Sequence, residues 1–263
     1  MHLSVVVPTR NEAGNVASLV ARLAVALEPL ALSWDVIFVD DSDDDTPTRI
    51  AALAEDDHPV ALIHRRACQR QGGLSGAVAL GFERALGERA VGERAVGADV
   101  VALMDGDLQH RPEVVPALVS AIADGADVAI ASRAARLANG GTGMAKWWRG
   151  WVSRSARSLV YASFPALRSV RDPLAGFFAT RRQVIVDVPL RPEGFKILLE
   201  VLVRGEWNSV AEVACELDPR LHGRSKAHVG QGIAFLRHLL RLRQGRYRPD
   251  PVDLAPARVP DGS

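Results

Sequence analysis

Two acidic stretches stand directly behind apolar runs, and their composition suggests chemistry. Behind Val100–Met104 comes Asp105-Gly106-Asp107-Leu108-Gln109-His110. Two carboxylates flanking one small residue at a strand end can converge on a single hard cation, with Gln109 as a third oxygen donor. Such a cation also takes diphosphate oxygens and neutralises the charge that builds on a leaving nucleoside diphosphate. A solvated turn is the plainer source of an isolated Asp-x-Asp; the apolar strand in front and Gln109 behind favour the metal. His110 reads as a helix-start or packing residue rather than a ligand. The first apolar run is followed by Pro8-Thr9-Arg10-Asn11-Glu12, and the second by Asp40-Asp41-Ser42-Asp43-Asp44-Asp45-Thr46. Carboxylates at two adjacent strand ends accept hydrogen bonds from a ribose or from base N–H groups. That role is expected of Asp41. Asp43 and Asp44 read as cap or turn residues, and Asp45 or Thr46 is placed to cap the helix that follows.

These residues need a frame that brings strand ends together. His2–Pro8 is a β-branched run ending at proline, and the next segment, Glu12 to Leu27, sets Val16, Leu19, Val20, Leu23 and Leu27 at helical spacing. The unit recurs. Asp35–Val39 precedes a helix around Thr46–Ala54, Val60–His64 precedes a helix from about Leu74, and Val100–Met104 precedes Glu113–Ala123. A further strand is expected at Asp127–Ala131. Alternation of this kind predicts an α/β fold with a mainly parallel, Rossmann-like sheet flanked by helices. Ligands then lie outside the carboxyl ends of the strands, where strand order reverses. The tandem repeat Gly87–Val91 and Gly92–Val96 (GERAV twice) is expected to lengthen a surface helix or loop.

With 48% hydrophobic residues among 263, the chain can bury one substantial core. No apolar run approaches the roughly 20 residues that cross a bilayer, and Met1 leads straight into a strand without a leader pattern, so a cytoplasmic location is expected. Cys68 and Cys215 sit in no paired motif and read as two inert thiols. The net charge of +1 hides an asymmetry. Residues 1–132 carry 10 Lys/Arg against 20 Asp/Glu, and residues 133–263 carry 22 against 11, giving −10 and +11. A basic half suits an anionic partner such as phosphate or an acidic lipid surface; nucleic acid is not expected, because no recognised binding module is present.

The ordered set Pro8–Glu12, Asp40-Asp41, Gly73–Val78, Asp105–His110, Ser132-Arg133, Asp172-Pro173-Leu174-Ala175-Gly176-Phe177, Gly194-Phe195-Lys196 and Arg220–Lys226 resembles the dolichyl-phosphate (polyprenyl-phosphate) mannose synthases, inverting glycosyltransferases of the GT-A fold. The resemblance runs from Ser4 to about Arg243. It implies transfer of mannose from GDP-mannose to a polyprenyl (dolichyl) monophosphate with inversion, assisted by Mg2+ or Mn2+. It carries Pro8, Asn11, Glu12 and Asp41 onto the nucleoside site and Asp105, Asp107 and Gln109 onto the metal. Arg220, Ser225 and Lys226 would meet the diphosphate, and an Arg and a Lys bracketing Gly and Ser do make a cationic phosphate clamp. Arg133, Arg149 and Ser153 would hold the acceptor phosphate; residues 149 and 153 are four apart and share a helix face. The chain departs from the pattern at Ala134, where many relatives carry an aromatic, and at Val213-Ala214-Cys215-Glu216-Leu217, where they carry a Pro-containing run.

Without a span, a lipid acceptor must be met at the surface. Residues 144–164 interleave Trp147, Trp148 and Trp151 with Lys146, Arg149, Arg154 and Arg157, the mixture of a helix lying among headgroups. The last helix, about 226–244, sets Ile233, Leu236, Leu239 and Leu240 beside Arg237, Arg241 and Arg243; either stripe could instead pack on the core. The expectation is a catalytic domain over 1–247 with these two amphipathic helices, a disordered Pro-rich tail over 248–263, and peripheral association with the cytoplasmic face of a membrane. A separate membrane protein is a candidate partner. Two other functions fit the same residues: a UDP-hexose (for example glucose) polyprenyl-phosphate glycosyltransferase, and a non-catalytic, membrane-docked nucleotide-sugar-binding regulator.

Overall fold

The computed structural model describes residues 1–56, 58–87, 90–91, 94–95, 97–132, 155–188, 196–216, 218, 230–244 and 253–254. Strands β1 (His2–Thr9), β2 (Ser33–Asp40) and β3 (Val60–His64) alternate with helices α1 (Val16–Leu27), α2 (Thr46–Glu55) and α3 (Gly73–Leu86). The expected elements therefore form, with boundaries moved by a residue or two except at α1, which starts at Val16 and not at Glu12. The apolar residues 16, 19, 20, 23 and 27 all face the core, which is why α1 is helical there. Pro47 in α2 stands in a first turn, where no N–H is needed. The repeat departs from expectation. Ala90–Val91 (β4) and Arg94–Ala95 (β5) pair antiparallel, so the duplicated segment is a small β-ladder and not a lengthened helix.

Beyond it lie β6 (Val100–Leu103), α4 (Val115–Ala123), β7 (Val128–Ser132), a helix over 155–163 (α5), β8 (Phe178–Arg181), the short α6 (Arg182–Ile185), α7 (Ile197–Arg204), β9 (Ser209–Ala214), α8 (Gly230–Gln244) and β10 (Asp253–Leu254). The main sheet runs β10-β9-β7-β8-β6-β1-β2-β3. Its neighbours are parallel except β8, which lies antiparallel between β6 and β7. The chain starts at β1, builds outward through β2 and β3, then returns to the other side of β1 with β6. The strand order therefore reverses between β1 and β6, and the crevice outside their carboxyl ends is the position where such sheets hold ligands. Two residues of the Pro-rich tail, Asp253 and Leu254, extend the sheet beside Ser209 and Val210; the rest of 248–263 lies outside the described residues.

Period-two alternation divides the core into two layers. Val5, Val7, Val36 and Phe38 face α1, α2 and α4, whereas Val6, Ile37, Val39 and Val101 face α3, α5, α7 and α8. Cys215 is buried in the first layer, and Cys68 is exposed. Among the described residues no helix is long and apolar enough to cross a membrane.

The α3–β1 contact depends on a missing side chain. A Cβ on Gly81 would lie 2.4 Å from Val6 Cγ1 and 3.2 Å from Val39 Cγ2, on strands with no room to retreat. Gly81→Ala is therefore expected to lower stability, because overpacking costs about 1–3 kcal/mol and exceeds the roughly 1 kcal/mol gained in helix propensity. A urea-unfolding midpoint below wild type is the predicted result; an unchanged or higher midpoint would refute it.

Candidate active site

The ends of β1, β2 and β3 are tied by one carboxylate. Asp40, fully buried, accepts hydrogen bonds from the Thr9 hydroxyl at 2.8 Å, from the Ser42 hydroxyl, and from the Ser42 amide at 3.2 Å, and its second oxygen lies 2.8 Å from His64 Nδ1. The following acidic residues are also engaged. Arg65 directs its fork at Asp41, at 2.8 and 2.6 Å, with side chains only 6% and 11% exposed. It also donates to the Gln71 and Gly73 carbonyls and so shapes the turn that opens α3. Arg70 grips Asp43 at 3.0 and 2.7 Å and holds its carboxyl below the usual carboxylate range. Asp44 accepts from the Thr46 amide at 3.0 Å, and Asp45 pairs with Arg49. The turn reading thus holds for Asp44, Asp45 occupies the N-cap of α2 without a side-chain cap hydrogen bond, Thr46 is the first residue of the helix, and Asp43 is an ion-pair partner. Asp41 sits at the expected edge with its carboxylate held by Arg65; the fork takes two of about four lone-pair positions. Asn11 adopts the left-handed conformation (φ 60°), donates its amide to Ser42 Oγ at 2.7 Å and accepts from the Asp43 amide at 3.0 Å. Glu12 donates its amide to Thr46 Oγ1 and holds Asn15 through its carboxylate.

Beside this edge, the turn after β6 carries Asp105, Gly106 and Asp107. The turn lies against β1 because residue 106 has no side chain: a Cβ there would meet Thr9 Cγ2 at 2.8 Å. Asp105 is 45% exposed, and its Oδ2 lies 3.6 Å from His110 Nδ1. Asp107 is largely buried and accepts the Gln109 amide at 3.1 Å, with Leu108 between them left-handed at φ 57°. His110 packs its ring against Phe177 at 5.2 Å, as expected of a packing residue. Among the described residues no group of three or more His, Cys, Asp or Glu assembles a metal cage. Two carboxylates and an amide on one turn remain a hard-oxygen donor set that fits a divalent cation sharing its shell with substrate oxygens and water.

The cleft in front of this turn, about 240 Å³, is lined by Pro8, Asp105, Gln109 and His110, by Leu174–Gly176, and by Lys196. Lys196 donates to the Leu174 carbonyl at 3.0 Å. Asp218 reaches the same turn from beyond β9: its amide donates to the Gln109 carbonyl at 2.9 Å, and its carboxylate accepts the Arg111 fork at 2.6–3.0 Å. Arg111 in turn holds the Asp218 carboxyl below its ordinary range. Pro8, Asn11, Glu12, Asp41, Asp105, Asp107 and Gln109 are thus gathered at one sheet edge. Arg133, Arg149, Ser153, Arg220, Ser225 and Lys226, together with Trp147, Trp148 and Trp151, lie outside the described residues. The residues missed from sequence are Arg65, Arg70, Arg111 and Asp218. Their one signal was position, since Arg65 directly follows β3 and Arg111 directly follows the acidic turn.

A family model described as "Glycosyl transferase family 2" matches residues 4–188. The chain is 37% identical over 244 residues to the dolichol-phosphate mannosyltransferase of Pyrococcus furiosus, covering 92% of this chain and 64% of that relative's length. It is 28% identical over 241 residues to the undecaprenyl-phosphate 4-deoxy-4-formamido-L-arabinose transferase of Pseudomonas fluorescens, covering 90% of this chain and 63% of the relative. Among solved structures, glucosyl-3-phosphoglycerate synthase from Mycobacterium tuberculosis in complex with Mn2+, UDP-glucose and phosphoglyceric acid superposes with a TM-score of 0.59 at 21% identity, over 96% of this chain and 88% of the other. That likeness confirms the expected GT-A architecture. The matched segment holds the loops that follow β1 and β2, the acidic turn after β6 and the wall before β8, and the chain belongs to glycosyl transferase family 2.

Proposed function

We propose that this protein transfers mannose from GDP-mannose to a polyprenyl monophosphate, inverting the anomeric centre. The observation that carries the reading is the acidic turn after β6, of which Asp105 and Gln109 line a cleft at the switch point between β1 and β6 and Asp107 lies between them in the chain. The names of the relatives support the lipid-phosphate acceptor. Pro8, Asn11, Glu12 and Asp41 hold the nucleoside, with Asp41 fixed in place by Arg65. Asp105, Asp107 and Gln109 hold Mg2+ or Mn2+, which when bound stabilises negative charge on the departing nucleoside diphosphate. Arg220, Ser225 and Lys226 meet the diphosphate from the segment that follows Asp218. Arg133, Arg149 and Ser153 hold the acceptor phosphate, to which two guanidinium forks are better suited than ammonium groups. That phosphate has a second pKa near about 6, so it reaches the site ionised and needs no strong general base. A single displacement follows, with the acceptor oxygen attacking from the face opposite the nucleotide, so an α-linked donor yields a β-linked product.

A second reading keeps every role but replaces the donor with a UDP-hexose; the similarity to a 4-deoxy-4-formamido-L-arabinose transferase supports a sugar other than mannose. A non-catalytic regulator is disfavoured because both carboxylates of the acidic turn are present.

The surface of α8 supports peripheral contact with the cytoplasmic leaflet. Leu239 and Leu242 face the core, while Leu236 (48% exposed) and Leu240 (60% exposed) point outward next to the exposed Arg237 and Arg241. Apolar groups flanked by guanidinium groups suit an anionic headgroup layer.

Three results are expected. With a short, water-soluble polyprenyl phosphate and a panel of nucleotide sugars, GDP-mannose supports transfer and NMR of the product shows a β linkage; preference for a UDP-sugar selects the second reading, and an α linkage refutes inversion. Asp107→Asn folds normally by circular dichroism yet loses roughly a hundred-fold or more in turnover, and full activity of that variant in excess chelator would remove the metal from the mechanism. The chain co-sediments with anionic vesicles in a salt-sensitive manner, since charge attraction is screened within about 10 Å at 0.1 M. The double variant Leu236→Ser, Leu240→Ser sediments less; equal sedimentation would take α8 out of the contact.

A further inference from the structure

A short turn, Val170–Asp172, leads into the cleft wall and is gripped on both sides of its backbone. Glu212, 7% exposed in the middle of β9, accepts the Arg171 amide at 2.7 Å and the Asp172 amide at 3.0 Å on one carboxylate oxygen. From the other side the Tyr161 hydroxyl of α5 donates to the Val170 carbonyl at 2.7 Å and lies 3.3 Å from the Arg171 carbonyl. Arg157, one helical turn earlier, donates to the Arg171 carbonyl at 3.2 Å. A turn of three residues thus has two amides and two carbonyls fixed by side chains from distant elements. Burial raises the Glu212 carboxyl above its ordinary range, and burial likewise raises the Tyr161 phenol.

The wall that follows borders the acidic turn. Leu174–Gly176 line the same cleft as Asp105, Gln109 and His110. A Cβ added to Gly176 would sit 3.7 Å from Asp105 Oδ2 and 3.9 Å from His110 Cε1, so the wall stands within one carbon of van der Waals contact with the acidic turn. The Ala175 amide donates to the Asp172 carbonyl at 3.2 Å, and the Leu174 carbonyl accepts Lys196 Nζ, so the wall's position follows that of the turn. From this we propose that Glu212 and Tyr161 are positioning residues for sugar transfer: together they clamp Val170–Asp172 and thereby set the Leu174–Gly176 wall against Asp105, without touching substrate themselves. The proposal rests on the reading of the cleft as the transfer site.

The clamp acts on the reacting geometry, whereas the nucleoside loops hang on β1 and β2, which β7, β8 and β6 separate from β9 in the sheet. Its loss should therefore lower kcat and leave nucleotide binding alone. Glu212→Ala strands two amides, the buried one of Asp172 and the part-buried one of Arg171, and displacing reacting groups by about 1 Å can cost up to roughly a hundred-fold, so a fall in kcat of about ten-fold or more is expected. Glu212→Gln keeps the accepting oxygen and should stay within about three-fold of wild type. Tyr161→Phe removes only a hydroxyl and should lower kcat by about three- to ten-fold.

The experiment measures four properties of wild type and the three variants: thermal stability, kcat with the best donor and a water-soluble acceptor, nucleoside diphosphate affinity by calorimetry, and amide hydrogen exchange over 170–178. The expected pattern is a reduced kcat in Glu212→Ala and Tyr161→Phe at temperatures where both are folded, unchanged nucleotide affinity, rescue by Gln, and faster exchange at Ala175. Unchanged kcat in folded variants, a parallel loss of nucleotide affinity, or Gln no better than Ala would each overturn the proposal. If Glu212→Ala does not fold, Tyr161→Phe decides alone. A wild type that transfers no sugar would refute the reaction instead, and the exchange rate at Ala175 would still judge the clamp.

Discussion

A carboxylate without solvent exposure, Asp40, sets the geometry at the carboxyl ends of β1, β2 and β3. Donors from Thr9 and Ser42, with His64 beside them, stabilise it, and these residues lie at the ends of three neighbouring strands. Buried carboxylates are tolerable only when their lone pairs are met in this way. The neighbours repeat the logic with cations: Asp41 with Arg65, Asp43 with Arg70, Asp45 with Arg49. The acidic run is therefore not a field of loose negative charge. Three of its five carboxylates are paired with arginines, and Asp40 and Asp44 are held by hydroxyl and amide donors, so the run serves as scaffold.

The antiparallel strand β8 explains how the acidic turn acquires a facing wall. A parallel neighbour would end where β6 ends. Running the other way, β8 begins there, with Phe178 paired to Leu103, the last residue of β6. The Asp172–Phe177 segment must then pass over the edge at which Asp105 emerges. One reversal in an otherwise parallel sheet thus turns an open edge into a cleft with two sides. The hydrogen bonds from Asp218 to Gln109 and Arg111 bring the chain beyond β9 to the same place.

The frame was legible because it is written in short periods. Apolar residues at 16, 19, 20, 23 and 27 admit one helix face, and strand ends followed by Asp or Asn mark the edge. The reading failed where the partner lies far along the chain. The fork that holds Asp41 comes from Arg65, 24 residues on, and Asp218 meets Arg111 across 107. Nothing local in Glu212, flanked by apolar residues on β9, shows that it meets amides 40 and 41 residues earlier. The repeat misled for a different reason. Glu, Arg and Ala favour helix, but each copy also carries Gly and β-branched Val, and the segment pairs as strands once α3 has ended before Gly87.

Glu212 also shows how stability and function diverge. Burial raises its carboxyl, so the folded state binds that proton more readily than the unfolded chain does. A raised carboxyl contributes its stability below the ordinary range and loses it as pH rises through the folded-state value. At neutral pH a charged Glu212 therefore costs folding free energy in this position, offset in part by the two amides it accepts. An apolar residue would pack on β9 without that penalty, but it would leave the amides of Arg171 and Asp172, the latter buried, without this acceptor. The position thus requires an acceptor at the start of the cleft wall, and of the two groups that supply one at this length, carboxylate and carboxamide, the protein carries the costlier. What the charge adds is reach to Arg171, whose guanidinium stands 4.0 Å away on the solvent side and draws the same turn toward β9. The wall opposite Asp105 is held where it is by an interaction that folding alone would not select.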